Sequence, residues 1–159
     1  MGEQRVLWVS VDRQELWLTG ECGEVLKRYP VSTSRFGLGF EEGSFCTPTG
    51  KFIISEKIGE GQPPGVVFRG REPAGSWQPG DPGEDLVLSR ILWLHGVEPA
   101  NANTKSRYIY IHGTHDEEGI GKPASHGCIR MRSADVIDLY DRVEVGDPVC
   151  IGAEPCLRR

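Results

Sequence analysis

The sequence of 159 residues has no long hydrophobic run and no excess of positive charge. A membrane-spanning helix needs about 18 consecutive apolar residues, and the longest apolar runs are far shorter. Lys and Arg number 18 against 23 Asp and Glu, and the resulting net charge of −5 disfavours nucleic acid as a partner. The N-terminal residues alternate in hydropathy instead of forming the apolar centre of a signal peptide. We therefore predict no integral membrane segment, and we find no export signal in the sequence as written.

Cysteine is scarce, and its spacing excludes the usual structural zinc motifs. The five cysteines stand at positions 22, 46, 128, 150 and 156, without a Cys-x-x-Cys pair. Because their number is odd, at least one thiol stays free unless it bonds to another chain. We interpret Cys22, Cys46, Cys150 and Cys156 as structural, with a disulfide between Cys150 and Cys156 open if the tail folds back. The thiol left over is Cys128.

Glycine and proline are abundant, with 21 and 11 residues, which excludes a helical bundle or coiled coil. The length fits a single domain over residues 1–159, with a core from about 5 to 151. We predict a mainly β fold, a compact mixed sandwich or barrel-like domain with one short helix after the loop that carries Cys128. The helix is predicted over 134–142, with Ser133 as its N-cap. The predicted strands cover residues 5–11, 15–19, 25–31, 51–55, 86–88, 91–94, 107–112 and 148–151.

Many of the glycines and prolines lie in one segment, residues 37–83, which contains 17 of them in 47 residues. A segment so rich in turn-formers has only brief regular structure, and loops of this length are usually functional or disordered. We interpret it as a flap or groove wall, and a plain surface loop is the alternative. Trp77 lies in this segment and is a candidate for substrate contact.

Three of the four histidines and one cysteine fall within a short stretch, as HGTH at 112–115 and SHGCIR at 125–130. Cys128 follows a tight turn, where backbone amides, Arg130 and histidines are expected to lower the pKa of its thiol. His112 ends a predicted strand and precedes Cys128 by enough chain to double back as a general base. The amides of Gly127 and Cys128 are candidate donors to an oxyanion.

The combination of HGT at 112–114 with SHGCIR at 125–130 resembles the signature of the L,D-transpeptidase catalytic domain, the YkuD family. The segments TPTGKF, SRILWL and VGDPV, at 47–52, 89–94 and 145–149, are similar to that family as well. The resemblance implies an enzyme that forms a thioester intermediate on its cysteine and uses neither a cofactor nor a metal. It also implies that a peptidoglycan stem peptide is the acyl donor and that the side-chain amine of a second stem peptide is the acceptor.

The same resemblance assigns roles to single residues. It implies that Cys128 is the nucleophile and His112 the general base, with the Gly113 carbonyl orienting an imidazole. Ser125 and His126 would then shape the loop that carries Cys128, and the backbone of Gly127 and Cys128 would hold the oxyanion. Arg130 would pair with a substrate carboxylate or only brace that loop. The family's substrate lies outside the cytoplasmic membrane, and a cytoplasmic role on recycled stem peptides stays open.

Three alternatives remain open at this stage. The same fold with water as the acceptor would be an L,D-carboxypeptidase or amide hydrolase on peptidoglycan peptides. A zinc site is conceivable because His112, His115, His126 and Cys128 are zinc-compatible ligands, although their spacing is unlike common zinc motifs. A catalytically silent module that binds the cell wall is the third alternative.

Overall fold

A computed structural model describes residues 4–81, 83 and 85–153. The fold is mainly β with one α-helix in these residues, so the predicted class is confirmed. The elements in chain order are β1 (Val6–Ser10), β2 (Glu15–Thr19), β3 (Val25–Pro30), β4 (Gly50–Ile58), β5 (Val66–Arg69), β6 (Glu72–Ser76), β7 (Val87–Gly96), β8 (Tyr110–Gly113), β9 (Ile129–Met131), α1 (Ser133–Arg142) and β10 (Pro148–Gly152).

The strands form one mixed sheet in the order β3-β2-β1-β10-β4-β7-β5-β6, and β8 and β9 branch from β7. The branch returns to the start of the sheet, because the chain just after β3 pairs with β9. Ser32 and Arg130 exchange two backbone hydrogen bonds of 2.9 Å. The sheet therefore closes on itself through this bridge, in agreement with the barrel-like prediction. β9 itself was missed by the sequence patterns, since three residues are too short to show an alternation.

The main core lies between this curved sheet and the helix. The side chains of Val136, Leu139 and Tyr140 are buried on one face of α1, which packs against β7 and β8. Each fully buried apolar side chain of this kind contributes roughly 1.5–3 kcal/mol relative to its exposed state. The helix thereby holds the two strands that lead into the loop around Cys128.

The N-cap prediction for α1 is wrong by one residue. The helix begins at Ser133 and Arg132 occupies the N-cap position without a side-chain hydrogen bond. The Ser133 hydroxyl instead accepts from Ser89 across 2.7 Å, and its amide donates to the Glu117 carboxylate across 3.1 Å. A carboxylate from another loop thus does the capping, which local sequence patterns do not show.

Two strand predictions differ from the structure where a residue with positive φ breaks the pattern. The predicted strands 86–88 and 91–94 form one strand, β7, with a register shift around Ser89, whose φ is 76°. The strand predicted over 107–112 begins only at Tyr110, because Tyr108 has a φ of 60° in the preceding turn. Both outliers adjoin the candidate site described below.

The glycine-rich segment 37–83 contains one central strand and one hairpin. β4 lies between β10 and β7, and the parts on either side of it form loops. The second part includes the hairpin β5–β6, which pairs with the start of β7 through Val67 and Phe68. This hairpin is the part of the predicted flap that bears on the site.

The cysteine predictions are tested only in part. Cys22, Cys46 and Cys128 carry free thiols. The pairing considered for Cys150 and Cys156 involves residue 156, which lies outside the described residues. In the described part of the chain, no helix is long and apolar enough to cross a membrane.

Candidate active site

Cys128 lies directly before β9 and beside the start of β8. The two strands pair in parallel, with Ile111 opposite Ile129 and His112 opposite Arg130. The Tyr110 amide donates to the Cys128 sulfur across 3.3 Å, and the thiol donates to the Tyr108 carbonyl across 3.4 Å. The sulfur is thus held by backbone groups on both sides of the point where β8 begins.

Burial changes the acidity of this thiol in the direction opposite to the sequence-based expectation. It raises the pKa of Cys128 to about 12. The hydrogen bond from Tyr110 and the charges of Arg130 and Arg107 act to lower that pKa, but they do not outweigh the loss of water. The expected lowering of the pKa is therefore wrong for the resting site, where the thiol is protonated near neutral pH.

His112 lies on β8 on the same face as Tyr110, because side chains alternate along a strand. Its side chain is buried, and burial lowers the pKa of the imidazole. Nδ1 lies 2.6 Å from the Gly113 carbonyl oxygen. Because that oxygen can only accept a hydrogen bond, Nδ1 carries the hydrogen of the neutral imidazole and Nε2 is unprotonated. A neutral imidazole of this tautomer can accept a proton at Nε2.

Gly113 is required at its position by a close backbone contact. A Cβ atom there would lie 2.6 Å from the Leu88 carbonyl oxygen of β7, closer than any real contact. The glycine lets β8 approach β7 closely, and it places its own carbonyl against the ring of His112. The motif HGT therefore has a packing reason besides its place in the site.

Ser125 fixes the turn that leads to Cys128. Its hydroxyl donates to the Cys128 carbonyl across 2.6 Å and accepts from the Gly127 amide across 3.1 Å. Its backbone is bonded to the segment after β3, through Thr33 and Arg35. Ser125 thus connects both ends of the nucleophile loop, which we define as residues 125–128.

Gly127 and Thr47 complete the support of this loop. Gly127 has a φ of 121°, and a Cβ there would lie 3.3 Å from the Cys46 carbonyl oxygen. Thr47 donates its hydroxyl to the Gly127 carbonyl across 3.0 Å and accepts from the Ser34 amide across 3.0 Å. In the sequence, Thr47 stands out only as part of the motif at 47–52. Its structural role was missed, because only the fold brings residues 47 and 127 together.

The family assignment follows from this loop and from the extent of the match around it. A model of the YkuD family, the L,D-transpeptidase catalytic domain, matches residues 4–151. The chain belongs to this family. YkuD of Bacillus subtilis (strain 168), whose name places it among the L,D-transpeptidases, is 29% identical over 143 residues, which are 90% of this chain and 63% of that protein.

Solved structures share the fold of this family member. An L,D-transpeptidase from Mycobacterium smegmatis is 22% identical with a TM-score of 0.60, over 94% of this chain and 59% of that one. L,D-transpeptidase 3 from Mycobacterium tuberculosis, solved with a faropenem-derived adduct, is 18% identical with a TM-score of 0.62, over 95% of this chain and 61% of that one. The chain thus spans about three-fifths of the length of these relatives.

Arg130 follows the cysteine by two residues in this YkuD domain and is 4% exposed. Its guanidinium donates to the Asp85 carboxylate across 2.7 Å, and a second nitrogen lies 3.8 Å from Asp116. Its Nε is buried without a hydrogen-bond partner. His126 lies 3.5 Å from the guanidinium and 3.7 Å from Asp85. Arg130 and His126 thus share one acidic partner, Asp85, which no sequence motif indicates.

Two cavities flank His126 in the YkuD domain. The larger, of about 570 Å³, is lined mainly by charged groups, among them Arg35, Asp85, Asp116 and Arg130. The smaller, of about 250 Å³, includes Phe45, Tyr108 and Arg107 in its walls. The ring of Phe45 packs edge-on to His126 at 5.7 Å. The imidazole of His126 therefore forms part of the wall between the two cavities.

The remaining candidates lie at the edge of this region. Trp77 packs its ring against His115 at 5.9 Å, and His115 lines the larger cavity. The indole nitrogen of Trp77 donates to the Asp81 carbonyl of its own loop. Among the described residues, no three His, Cys, Asp or Glu side chains converge as metal ligands, so the zinc set considered above does not assemble.

Proposed function

We propose that this chain catalyses L,D-transpeptidation, with Cys128 as the nucleophile and a peptidoglycan stem peptide as the acyl donor. The observation that carries the proposal is the placement of a half-buried thiol against the backbone of β8, the strand that also holds His112. His112 lies two residues along β8 from Tyr110 and opposite Arg130 of β9, which supports its role as the base.

The proposed reaction has two steps, acylation of Cys128 and transfer of the acyl group to an amine. The Cys128 sulfur attacks the carbonyl of the third stem residue, and the thiol proton passes to Nε2 of His112. The bond to the terminal D-residue breaks, and the imidazolium gives its proton to the leaving amine. The acceptor amine then attacks the thioester, the new amide forms, and the thiolate recovers a proton through His112.

The pKa directions support a neutral resting pair. Burial raises the pKa of the Cys128 thiol and lowers that of the His112 imidazole. The proton therefore moves only when a substrate carbonyl is present to accept the sulfur electrons. The Gly113 carbonyl, 2.6 Å from Nδ1, then stabilises the imidazolium that forms.

For the oxyanion we propose the amide of Cys128, joined by that of Gly127. The Gly127 amide donates to the Ser125 hydroxyl across 3.1 Å in this structure. It has to share or exchange that partner when the oxyanion forms. Ser125 and His126 act as supports of the loop, through the contacts described above.

Arg130 and Trp77 are proposed at the substrate side of the loop. Arg130 is held by Asp85 and mainly braces the loop, since its guanidinium is buried and ion-paired. The ring of Trp77 contacts His115, which lines the larger cavity. The two cavities on either side of His126 offer space for a donor and an acceptor peptide.

The proposal is tested by incubating the protein with a disaccharide tetrapeptide donor, with and without a second stem peptide, and identifying products by mass spectrometry. We expect a cross-linked dimer with wild-type protein and with the control Cys46→Ala, and none with Cys128→Ala. Trimmed donor alone would assign hydrolysis instead. Retained cross-linking by Cys128→Ala would refute the nucleophile. A protein that forms neither product would be the silent wall-binding module.

A further inference from the structure

The turn of the β5–β6 hairpin has an arginine where a glycine is expected. Arg69 pairs with Glu72, so Gly70 and Arg71 form a two-residue turn. Their φ values are 56° and 68°, as a type I′ turn requires. A side chain in this left-handed region is strained, and the second central position normally takes glycine. Something other than the turn therefore requires the arginine side chain.

The side chain of Arg71 reaches three aromatic rings. One guanidinium nitrogen donates to the Tyr110 hydroxyl across 3.1 Å. The guanidinium carbon lies 4.6 Å from the ring centre of Trp93 and 5.3 Å from that of Tyr108. Trp93 in turn stacks on Tyr108 at 5.9 Å and meets Tyr110 edge-on at 5.7 Å. Arg71 thus joins the tip of the hairpin to a cluster made of Trp93, Tyr108 and Tyr110.

The two tyrosines of this cluster are the residues that hold the Cys128 sulfur. The Tyr110 amide donates to the sulfur, and the Tyr108 carbonyl accepts from it. Tyr108 also has a positive φ of 60°, so its backbone depends on its surroundings to keep that conformation. A contact that fixes both rings consequently fixes both backbone partners of the thiol.

We propose that Arg71 is a positioning residue for Cys128, acting through Tyr108 and Tyr110 and holding the β5–β6 hairpin closed against them. The proposal rests on the proposed function in that it takes Cys128 as the nucleophile. The charged groups with the leading effects on the pKa of the Cys128 thiol are Asp85, Arg130 and Arg107, so we assign the effect of Arg71 to its contacts with the two tyrosines.

The variant Arg71→Gly separates positioning from simple structural support. Glycine suits the left-handed turn, so the variant relieves the backbone strain at position 71 while it loses the link to the tyrosines. Arg69→Gly is the matched control, because Arg69 is exposed and lies on the same hairpin. For both variants we measure the melting temperature, the alkylation of Cys128 by iodoacetamide and the acylation of Cys128 by the β-lactam imipenem. Peptide mass spectrometry assigns the modified site.

For Arg71→Gly we expect a melting temperature no lower than that of Arg69→Gly. Cys128 is expected to alkylate about threefold faster, because the hairpin no longer covers it, and to acylate about tenfold more slowly, because the sulfur is misplaced. Alkylation of the exposed Cys22 stays constant as an internal standard. Arg69→Gly is expected to match the wild type in both rates.

The proposal is overturned if either rate for Arg71→Gly stays within about twofold of the wild type. It is also overturned if the melting temperature falls below that of Arg69→Gly, which would assign Arg71 a structural role only. Wild-type protein that imipenem does not acylate would count against the proposed function. In that case the alkylation and melting comparisons alone decide the role of Arg71.

Discussion

The amide of Tyr110 donates a hydrogen bond to the Cys128 sulfur across 3.3 Å. Such a bond favours the thiolate, yet burial still raises the pKa of the thiol to about 12. At rest the Cys128 thiol is therefore protonated, and the His112 imidazole is neutral near neutral pH. Reactivity then depends on proton transfer during attack and not on a resting thiolate.

The first prediction concerns the reactivity of the resting thiol. Near neutral pH, Cys128 is expected to react with iodoacetamide at least about tenfold more slowly than Cys22, because the thiolate is the attacking species. Cys22 is exposed in the β2–β3 turn and serves as the internal comparison. Both rates come from peptide mass spectrometry of one sample. Faster alkylation of Cys128 would show a thiolate at rest and contradict the neutral pair.

The second prediction is the pH dependence of acylation by imipenem. Only neutral His112 can accept the thiol proton, so the rate should rise with pH through the pKa of His112 and then stay level. Because burial lowers that pKa, the acid limb is expected below about pH 6.5, the ordinary value. An acid limb at or above that pH in the wild type would contradict the lowered pKa.

His112→Ala tests the same assignment by removing the base. The rate is expected to fall by about 10²–10⁴, and the acid limb should disappear with it. His95→Ala is the matched control, since His95 is exposed near the end of β7. An unchanged acid limb in His112→Ala would assign the titration to another group.

The sequence predicts most strands because their hydropathy alternates, and β2 was predicted with its observed bounds, Glu15–Thr19. It does not predict β9 or the start of β8. Those depend on pairing with distant segments, such as the bridge between Ser32 and Arg130. Long-range backbone pairing leaves no local pattern, and neither does the capping of α1 by Glu117.

The residues of the candidate site likewise fall into those that the sequence indicates and those that only the fold reveals. Cys128 and His112 were predicted because reactive residue types stand in a recognisable motif. Arg71 and Asp85 were not singled out, since each contributes through contacts with side chains far away in the sequence. The direction of the Cys128 pKa was also missed. It depends on how much water the fold removes, which motif residues alone do not reveal.

The third prediction tests the support given by Ser125. Ser125→Ala removes the hydrogen bonds to the Cys128 carbonyl and from the Gly127 amide, and we expect a loss of about 1–3 kcal/mol in the free energy of unfolding. The acylation rate should fall about tenfold or more as the loop loses its geometry. Ser44→Ala is the control, because the Ser44 hydroxyl donates to the Glu41 carbonyl in an exposed loop. Equal effects of the two variants would contradict the assigned role.

The fourth prediction separates bracing from substrate contact at Arg130. Arg130→Ala removes a buried guanidinium and its charged hydrogen bond to Asp85, and the free energy of unfolding is expected to fall by about 2 kcal/mol. Arg132→Ala should change it by less than about 1 kcal/mol, since its contact with Asp135 lies at 3.9 Å on the surface. Urea unfolding gives both values. If the two variants are equally stable, Arg130 does not brace the loop and is available for a substrate carboxylate.

The fifth prediction concerns the backbone of the nucleophile loop. Gly127 and Gly43 both have positive φ, 121° and 84°. A Cβ atom at Gly127 would lie 3.3 Å from the Cys46 carbonyl oxygen, whereas no heavy atom lies within 4 Å of a Cβ built at Gly43. Gly43→Ala is expected to cost about 1–2 kcal/mol from backbone strain alone. Gly127→Ala adds crowding against the Cys46 carbonyl, so it should be less stable than Gly43→Ala by about 1 kcal/mol or more.

Because Cys128 follows Gly127 directly, the same crowding should move the sulfur. We expect imipenem acylation to slow at least about tenfold in Gly127→Ala, while Gly43→Ala keeps the wild-type rate. Thermal unfolding and acylation kinetics on the two variants measure strain and placement separately. If Gly127→Ala loses stability but acylates at the wild-type rate, the loop adapts without moving the sulfur. The positive φ at Gly127 would then serve folding alone.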